Sequence, residues 1–385
     1  MSDAPVVRLA LLGAFAFPAP QGSQRFAAEQ ARALGELGIP TTLFCYGNGD
    51  GRPHPGVRVE RIARKRSPRR LRAGFDRAKP RADLALRDLL LHAHRETPFD
   101  AVLAHNAEAA GVALAARRRG GPPCIHVVHT LWAEELPSYL PARLRRLAAG
   151  AGRLLDAGLA WQSDATLVLS RRAEQALSRF ARGPLECIPP PFRTAPEPGP
   201  EKVRAACQRH GLLPEGYVLY AGNLDAYQDL PLLDSAAARL PEQTLVVATH
   251  DPRQLPLAHL RRCVVRDPEE ARALVFGARL AVLPRRRAGG FPVKLLGYME
   301  AGRAILASAA AAHTLEHGTS AWLLPASAGA DAWASALQRL LEDAKLRRRL
   351  GCAARQVLET RHAPEPCARA TLELVGRARS QRPGR

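Results

Sequence analysis

An α/β fold made of two open parallel-sheet domains is the expectation, and three features of the sequence carry it. Short apolar runs alternate with helical patterns along the chain, the rhythm of strand, helix and returning parallel strand. A proline-rich stretch, CIPPPFRTAPEPGPE at 187–201, interrupts that rhythm, after which it restarts. At 385 residues the chain is also too long for one ordinary core.

In the first half, VVRLALLGAF (6–15) reads as a strand leading to a helix at 23–38, which GELGIP closes. TTLFCYG (41–47) is a second strand. DAVLAHN (100–106) precedes a helix at 108–119. CIHVVHT (124–130) and ATLVLS (165–170) follow, the latter running into the helical RRAEQALSRFA. Consecutive prolines at 189–191 forbid helix and central strand, which makes 187–201 a stiff connection and the best boundary in the chain.

Beyond it lie strands at 217–222, 244–249, 263–266, 280–284, 304–308 and 321–326. Helices are expected at 230–240 and 267–277, after the glycines at 289 and 290, as one long stretch at 330–360, and at 364–378. The resulting domains are 1–190 and 191–362, with a terminal helix at 363–378 and a polar, disordered tail at 379–385. Ligands of such sheets bind outside the carboxyl ends of the strands, here in a cleft between the two units.

Composition narrows the function. The hydrophobic fraction of 46% is that of a globular protein. No run of about 18 apolar residues is present, so no membrane-spanning helix is expected. MSDAPVVRLALLGAFAF reads as a first strand rather than a signal peptide. Seven cysteines, none in a C-x-x-C pair, suit reduced side chains in a cytosolic protein without a zinc site.

The net charge of +20 leaves open nucleic acid, an anionic membrane, phosphorylated small molecules, or simple solubility. Aromatics at 5% and the lack of a recognition motif argue against nucleic acid. Two basic stretches interleave leucine with arginine, at 61–95 and at 140–161. Each could lie on an anionic bilayer or reach a lipid-linked phosphate, or be a solvated face against its own domain.

Several positions carry chemistry. Gly22-Ser23 precedes the first helix, where a phosphate or sugar can approach the backbone, although Ser23 also suits a simple N-cap. The turn is not G-x-G-x-x-G, so a dinucleotide fingerprint is missing. G-x-S-x-G and the P-loop pattern are absent too. The stretch GGFPVKLLGYMEAGRAI (289–305) places Lys294 in the first turn of its helix. A cation there faces the positive end of the helix dipole, at a cost of a few tenths of a kcal/mol. His129 and His105 stand at strand ends, with Glu108 on the next helix and Glu134 and Glu135 in the following loop as candidate bases.

In order and spacing, AHNAEAAG, HVVHTLW, SDATLVLS and LECIPPPF resemble the N-terminal half of a family-4 glycosyltransferase of the GT-B type. YVLYAGNLD, LPRRRAGGFPVKLLGYMEAGRAI and HGTSAWLLPA resemble its C-terminal half. The resemblance spans roughly 6–375. It implies two Rossmann-like domains and a C-terminal helix crossing back to the first. It also implies retaining, hexosyltransferase-like transfer from a nucleotide-diphosphate sugar to a glycan or lipid-linked acceptor, as in polysaccharide biosynthesis, with no cofactor and no obligatory metal. The place of action would be cytoplasmic, with the inner membrane face a further option.

On this resemblance the donor phosphates fall to Gly22, Ser23, Gly222, Asn223, Arg285, Gly289, Gly290, Phe291 and Lys294. Arg266 and Gly297 fall near the base and ribose, and His129, His105 and Glu134 near the reacting centre. The departures are specific. Gly289 and Gly297 stand where the family carries two glutamates, and Glu300 lies almost one turn beyond on another side of the helix. Asn223 and Gln228 or Asp229 replace an expected basic pair, so Lys294 with Arg285 or Arg286 has to compensate. A catalytically silent GT-B protein that binds nucleotide-sugar or scaffolds a partner is therefore the alternative. Sugar-nucleotide epimerases share the architecture.

Overall fold

The computed structural model describes residues 7–18, 22–49, 56–68, 78–253, 256–286 and 290–381. Val6, Gly289, residues 69–77 of the first basic stretch and 382–385 of the tail lie outside the described residues. The chain divides into two compact units, one of residues 1–193 with 362–385, the other of residues 194–361.

The first unit runs β1 (Leu9–Ala16), α1 (Gly22–Glu36), β2 (Thr41–Tyr46), β3 (Arg58–Arg61), α2 (Lys79–Glu96), β4 (Ala101–His105) and α3 (Asn106–Arg117). It continues with β5 (Cys124–Val128), α4 (Trp132–Glu135), α5 (Arg145–Gln162), β6 (Ala165–Val168), α6 (Arg171–Leu177) and β7 (Leu185–Cys187). The second unit holds α7 (Pro200–Arg209), β8 (Tyr217–Ala221), α8 (Leu230–Ala237), β9 (Thr244–Thr249), β10 (Arg261–Val264), α9 (Pro268–Gly277) and β11 (Leu280–Leu283). It ends with α10 (Lys294–Glu300), β12 (Ile305–Ser308), β13 (Trp322–Leu324), α11 (Ala330–Glu342) and α12 (Ala344–Arg361). The last helix, α13 (Pro364–Ser380), belongs to the first unit.

The first sheet has seven parallel strands in the order β3-β2-β1-β4-β5-β6-β7. The second has six in the order β10-β9-β8-β11-β12-β13. Each reverses direction beside its central strand, between β1 and β4 and between β8 and β11. Those are the switch points at which doubly wound sheets bind ligands.

Burial explains why the central strands form. Leu9, Leu11 and Leu12 of β1 and Leu280, Val282 and Leu283 of β11 are fully enclosed, as strands covered on both faces require. In the second unit Trp333, Leu337 and Leu340 of α11 lie against Leu230 and Leu233 of α8 and Val218 and Tyr220 of β8. In the first, α13 buries Cys367, Ala368, Thr371, Leu374 and Val375, and Gln30 of α1 donates to Thr371 Oγ1 at 3.5 Å.

Three expectations need correction. The helix expected at 330–360 is two helices, because Asp343 turns to an extended conformation and its carboxylate accepts from the Leu346 N–H at 2.8 Å. The edge strands β3 and β7 were not anticipated; their residues, RVER and LEC, are only part-buried or exposed and lack an apolar signature. The final helix runs to Ser380, two residues past its expected end. Of the cysteines, Cys352 is exposed, Cys187 part-buried and the other five buried, all as free thiols.

Candidate functional site

At the switch point of the second unit, β8 ends in Ala221 and the chain turns at Gly222 with φ +147°. The Gly222 N–H donates to the Ala248 carbonyl at 2.9 Å. A Cβ at this position would fall 2.4 Å from Lys294 Nζ and 2.7 Å from its Cε. The glycine is thus what lets the lysine lie across the end of the strand. Lys294 is the first residue of α10, entered through Gly290 at φ +70° and a turn in which the Leu295 N–H meets the Pro292 carbonyl at 2.8 Å. The helix is only seven residues long and begins at the lysine itself, not at the glycines.

The ammonium nitrogen donates to Tyr220 Oη at 2.5 Å and sits 4.1 Å from the ring centroid. The Tyr220 hydroxyl in turn donates a hydrogen bond to the Asn223 carbonyl at 2.7 Å. Burial lowers the Lys294 pKa well below the ordinary lysine value; the nearby Arg285 lowers it further and Asp225 partly opposes the shift. A cation enclosed in this way, next to another cation, is poised to take up an anion. Arg285 is itself buried and lies 5.0 Å from the Tyr227 ring centroid.

Asn223 is fixed from three sides. Its amide donates to Asp225 at 2.7 Å and to the Tyr227 hydroxyl at 3.1 Å, and its oxygen accepts from Gln228 at 2.8 Å. The structure separates the two arginines that the sequence left as alternatives. Arg285 is gathered with Lys294, whereas Arg286 is half-exposed and paired with Asp229.

The other expected donor residues are placed less centrally. Phe291 is buried, its ring 4.8 Å from that of His313. Arg266 is exposed after the edge strand β10, one strand removed from β8, and its backbone N–H is held by Glu270 at 2.8 Å. Gly297 lies on α10, and a Cβ there meets nothing within 4 Å. Glu300 is buried and occupied elsewhere. It takes Arg272 at 2.9 and 3.0 Å and the Ala195 N–H at 3.0 Å, while Arg272 also holds the carbonyls of Ala195 and Pro196. It is a clamp on the chain at 195–196, which the sequence did not reveal.

At the switch point of the first unit, His105 ends β4 and His129 follows β5, and His105 Nδ1 meets His129 Nε2 at 2.9 Å. Phe26 of α1 covers both rings, with centroids at 5.4 and 4.9 Å. Burial pushes His105 down to about 3 and His126 down to about 4. His129 is well below its ordinary value, first through burial and then through its two histidine neighbours. All three are therefore neutral near pH 7, each ring offering one donor and one acceptor. His105 Nε2 and His126 Nδ1 are buried without a hydrogen-bond partner among the described residues.

Asn106, at φ +74°, reaches Ser23 Oγ at 3.5 Å, so the start of α1 abuts the histidine pair, with Gly22 exposed. Glu134 makes its hydrogen bond elsewhere. It sits on α4, bound to Arg172 at 2.7 Å, while Glu135 accepts from Tyr139 at 2.5 Å and Glu108 pairs with Lys79 at 3.2 Å. Sequence reasoning also missed Asp156, whose carboxylate accepts the Trp132 and Ala133 N–H groups at 2.9 Å each and anchors α4. Burial raises its pKa to about 6 despite those bonds.

Two doubly wound parallel units in one chain, each gathering polar groups at its switch point, are the architecture of a GT-B glycosyltransferase. Residues 20–196 match the model of Glycosyltransferase Family 4, and residues 215–343 match that of Glycosyl transferases group 1. The two matches take in most of the chain, and the protein belongs to the family-4 glycosyltransferases of the GT-B type.

Solved structures share the fold. Sucrose-phosphate synthase from Thermosynechococcus elongatus superposes with a TM-score of 0.78 at 18% identity, covering 98% of this chain and all of the other. HepE from Anabaena, in complex with UDP and glucose, gives 0.73 at 14% identity, covering 96% and 99%. WaaG, a glycosyltransferase involved in lipopolysaccharide biosynthesis, gives 0.66 at 14%, covering 94% and 99%. No curated protein matches the chain by sequence.

Proposed function

We propose that the protein moves a hexosyl group from a nucleoside-diphosphate sugar to a glycan or lipid-linked acceptor hydroxyl, with retention of configuration and without a required metal. It would act in the cytoplasm, in assembly of a polysaccharide or glycolipid. One observation carries the reading: the part-buried Lys294 ammonium, lying over Gly222 at the β8–β11 switch point beside Arg285.

A diphosphate entering there meets Lys294 and Arg285, with Asn223 and the Gly290-Phe291 turn adjoining. As the bond from the sugar C1 to the phosphate oxygen breaks, negative charge grows on the leaving group, and the two cations stabilise it most at that moment. The acceptor oxygen forms the new bond to C1, and its proton passes to the departing phosphate oxygen. The diphosphate does the work of a base, so the step needs no carboxylate to take the acceptor proton. The neutral His105–His129 pair, with Gly22 and Ser23 beside it, offers hydrogen bonds to hydroxyl groups at the switch point of its own unit. Arg266 flanks the nucleoside. The relatives solved with UDP and glucose make a uridine nucleotide the first donor to test.

A second reading has an observation of its own. Space is open for a side chain at Gly297, so packing does not impose the glycine where the family carries a glutamate. A silent nucleotide-sugar binder would keep the Lys294 site and dispense with turnover. The test is release of nucleoside diphosphate from a panel of sugar nucleotides, with and without a polyprenyl-phosphate acceptor. Release that Lys294→Met abolishes supports transfer, and binding without release supports the silent form. Failure of every sugar nucleotide to bind refutes both.

A further inference from the structure

We infer that the outward face of α5, with the turn that leads into it, docks on an anionic lipid bilayer. This helix inverts the usual arrangement of an amphipathic helix on a globular domain. It turns Ala148, Gly152, Asp156, Leu159 and Ala160 inward. At Gly152 a Cβ would lie 2.4 Å from the Trp132 carbonyl oxygen, so the contact with α4 is backbone-close and has no room for large side chains.

The large apolar groups point out. Leu147 is 74% exposed, Leu154 77% and Trp161 51%. Their spacing of seven residues sets them along one line of the helix, with about 20° of drift per step. Leu144 and Leu155 widen the stripe, and Leu140 extends it into the preceding turn, all three partly exposed.

Charge identifies the occupant. Arg146 and Arg153, again seven apart, border the stripe, Arg143 and Arg145 stand at its start, and Arg182 lies 4.2 Å from the Trp161 ring centroid. Among the described residues none of Arg143, Arg145, Arg146 or Arg153 is in an ion pair. The one carboxylate between residues 136 and 162, Asp156, is buried on the opposite side. Leucine at the centre, arginine at the border and tryptophan at the rim suit a helix lying in the headgroup plane. A second copy of the chain suits the face poorly, since twofold pairing would set arginine against arginine. In the described part of the other basic stretch, α2 buries Leu86, Leu90 and Leu91 and exposes Leu84 as its single large apolar side chain.

The experiment is co-flotation of the full-length protein with phosphatidylcholine vesicles, pure or carrying roughly 30% phosphatidylglycerol. Trp161 emission, compared with Trp161→Phe, is the second readout. The wild type is expected to float with the anionic vesicles only, less so as salt rises, and to show a blue shift. Leu147→Ser with Leu154→Ser should lower partitioning at least tenfold, and Arg146→Gln or Arg153→Gln about fivefold each. These side chains are exposed, so the thermal midpoint should stay put, which separates lost docking from lost folding. Absence of flotation, or equal flotation of the leucine variant, overturns the inference. So does a dimer in sedimentation that the leucine variant abolishes while no vesicle binds. No sugar nucleotide is present in these assays, so their failure leaves the donor-site reading standing, and the reverse.

Discussion

Replacing Gly222 with alanine tests the donor site through a residue that bears no charge. The added Cβ would lie 2.4 Å from Lys294 Nζ, where ordinary contact begins at 3.4 Å, so the ammonium has to retreat by about 1 Å. Tyr220 Oη, at 3.4 Å from that Cβ, is only just touched. The backbone contributes separately, because φ +147° is costly for any residue with a side chain, about 1–3 kcal/mol. A displaced ammonium loses its charged hydrogen bond to phosphate, worth about 1.5–3 kcal/mol, or roughly 10- to 150-fold in affinity. Titration calorimetry with uridine diphosphate measures that loss, and denaturant unfolding measures the stability cost. Combined with Lys294→Ala, the second substitution should add little to the loss of affinity, since both remove one contact. Unchanged affinity in Gly222→Ala, or fully additive losses in the pair, would refute the reasoning.

Other outcomes follow from the same geometry. His126 is depressed to about 4 when folded, so its contribution to stability is full above about 6.5 and disappears as pH falls through that window. His126→Phe should flatten the acid limb of an unfolding-versus-pH curve by up to about 1.4 kcal/mol per pH unit. Gly297→Ala should raise stability by roughly 0.5–1 kcal/mol, because the helix gains a Cβ that touches nothing, and a higher denaturant midpoint checks it. Glu300→Ala strands the Arg272 guanidinium against the Ala195 and Pro196 carbonyls, and unfolding should show a loss of about 3–5 kcal/mol.

The parallel sheets were legible because their central strands are continuous apolar runs, such as LALLGAFA in β1 and LAVL in β11, which need no partner to be recognised. The edges were not. RVER in β3 and LEC in β7 are strands only because a neighbour supplies hydrogen bonds on one side. Asp343 was hidden inside an apparently continuous helix because a cap is read from dihedral angles, not composition.

At the site, Lys294, Gly222 and Arg285 could be named from the order of motifs. That Gly222 exists to clear the lysine, and that Tyr220 carries it, could not. Both are contacts between residues more than seventy positions apart. The Glu134–Arg172 pair was hidden for the same reason, since nothing near Glu134 in sequence announces Arg172 as its partner. For Leu147 and Leu154 the sequence left a bilayer-facing stripe and a face packed on its own domain both open, because exposure is a tertiary property that spacing does not carry.

The central claim is that Lys294 neutralises a bound diphosphate. Its pKa is depressed in the free protein and an adjoining dianion raises it, so binding takes up a proton at any pH between the two values. Affinity then falls as pH climbs through that window. Calorimetry of uridine diphosphate binding in buffers of different ionisation enthalpy counts the protons. The wild type should take up a fraction of one proton, and Lys294→Met should take up none while binding at least tenfold more weakly. Equal affinity and equal proton uptake in the two proteins would contradict the claim.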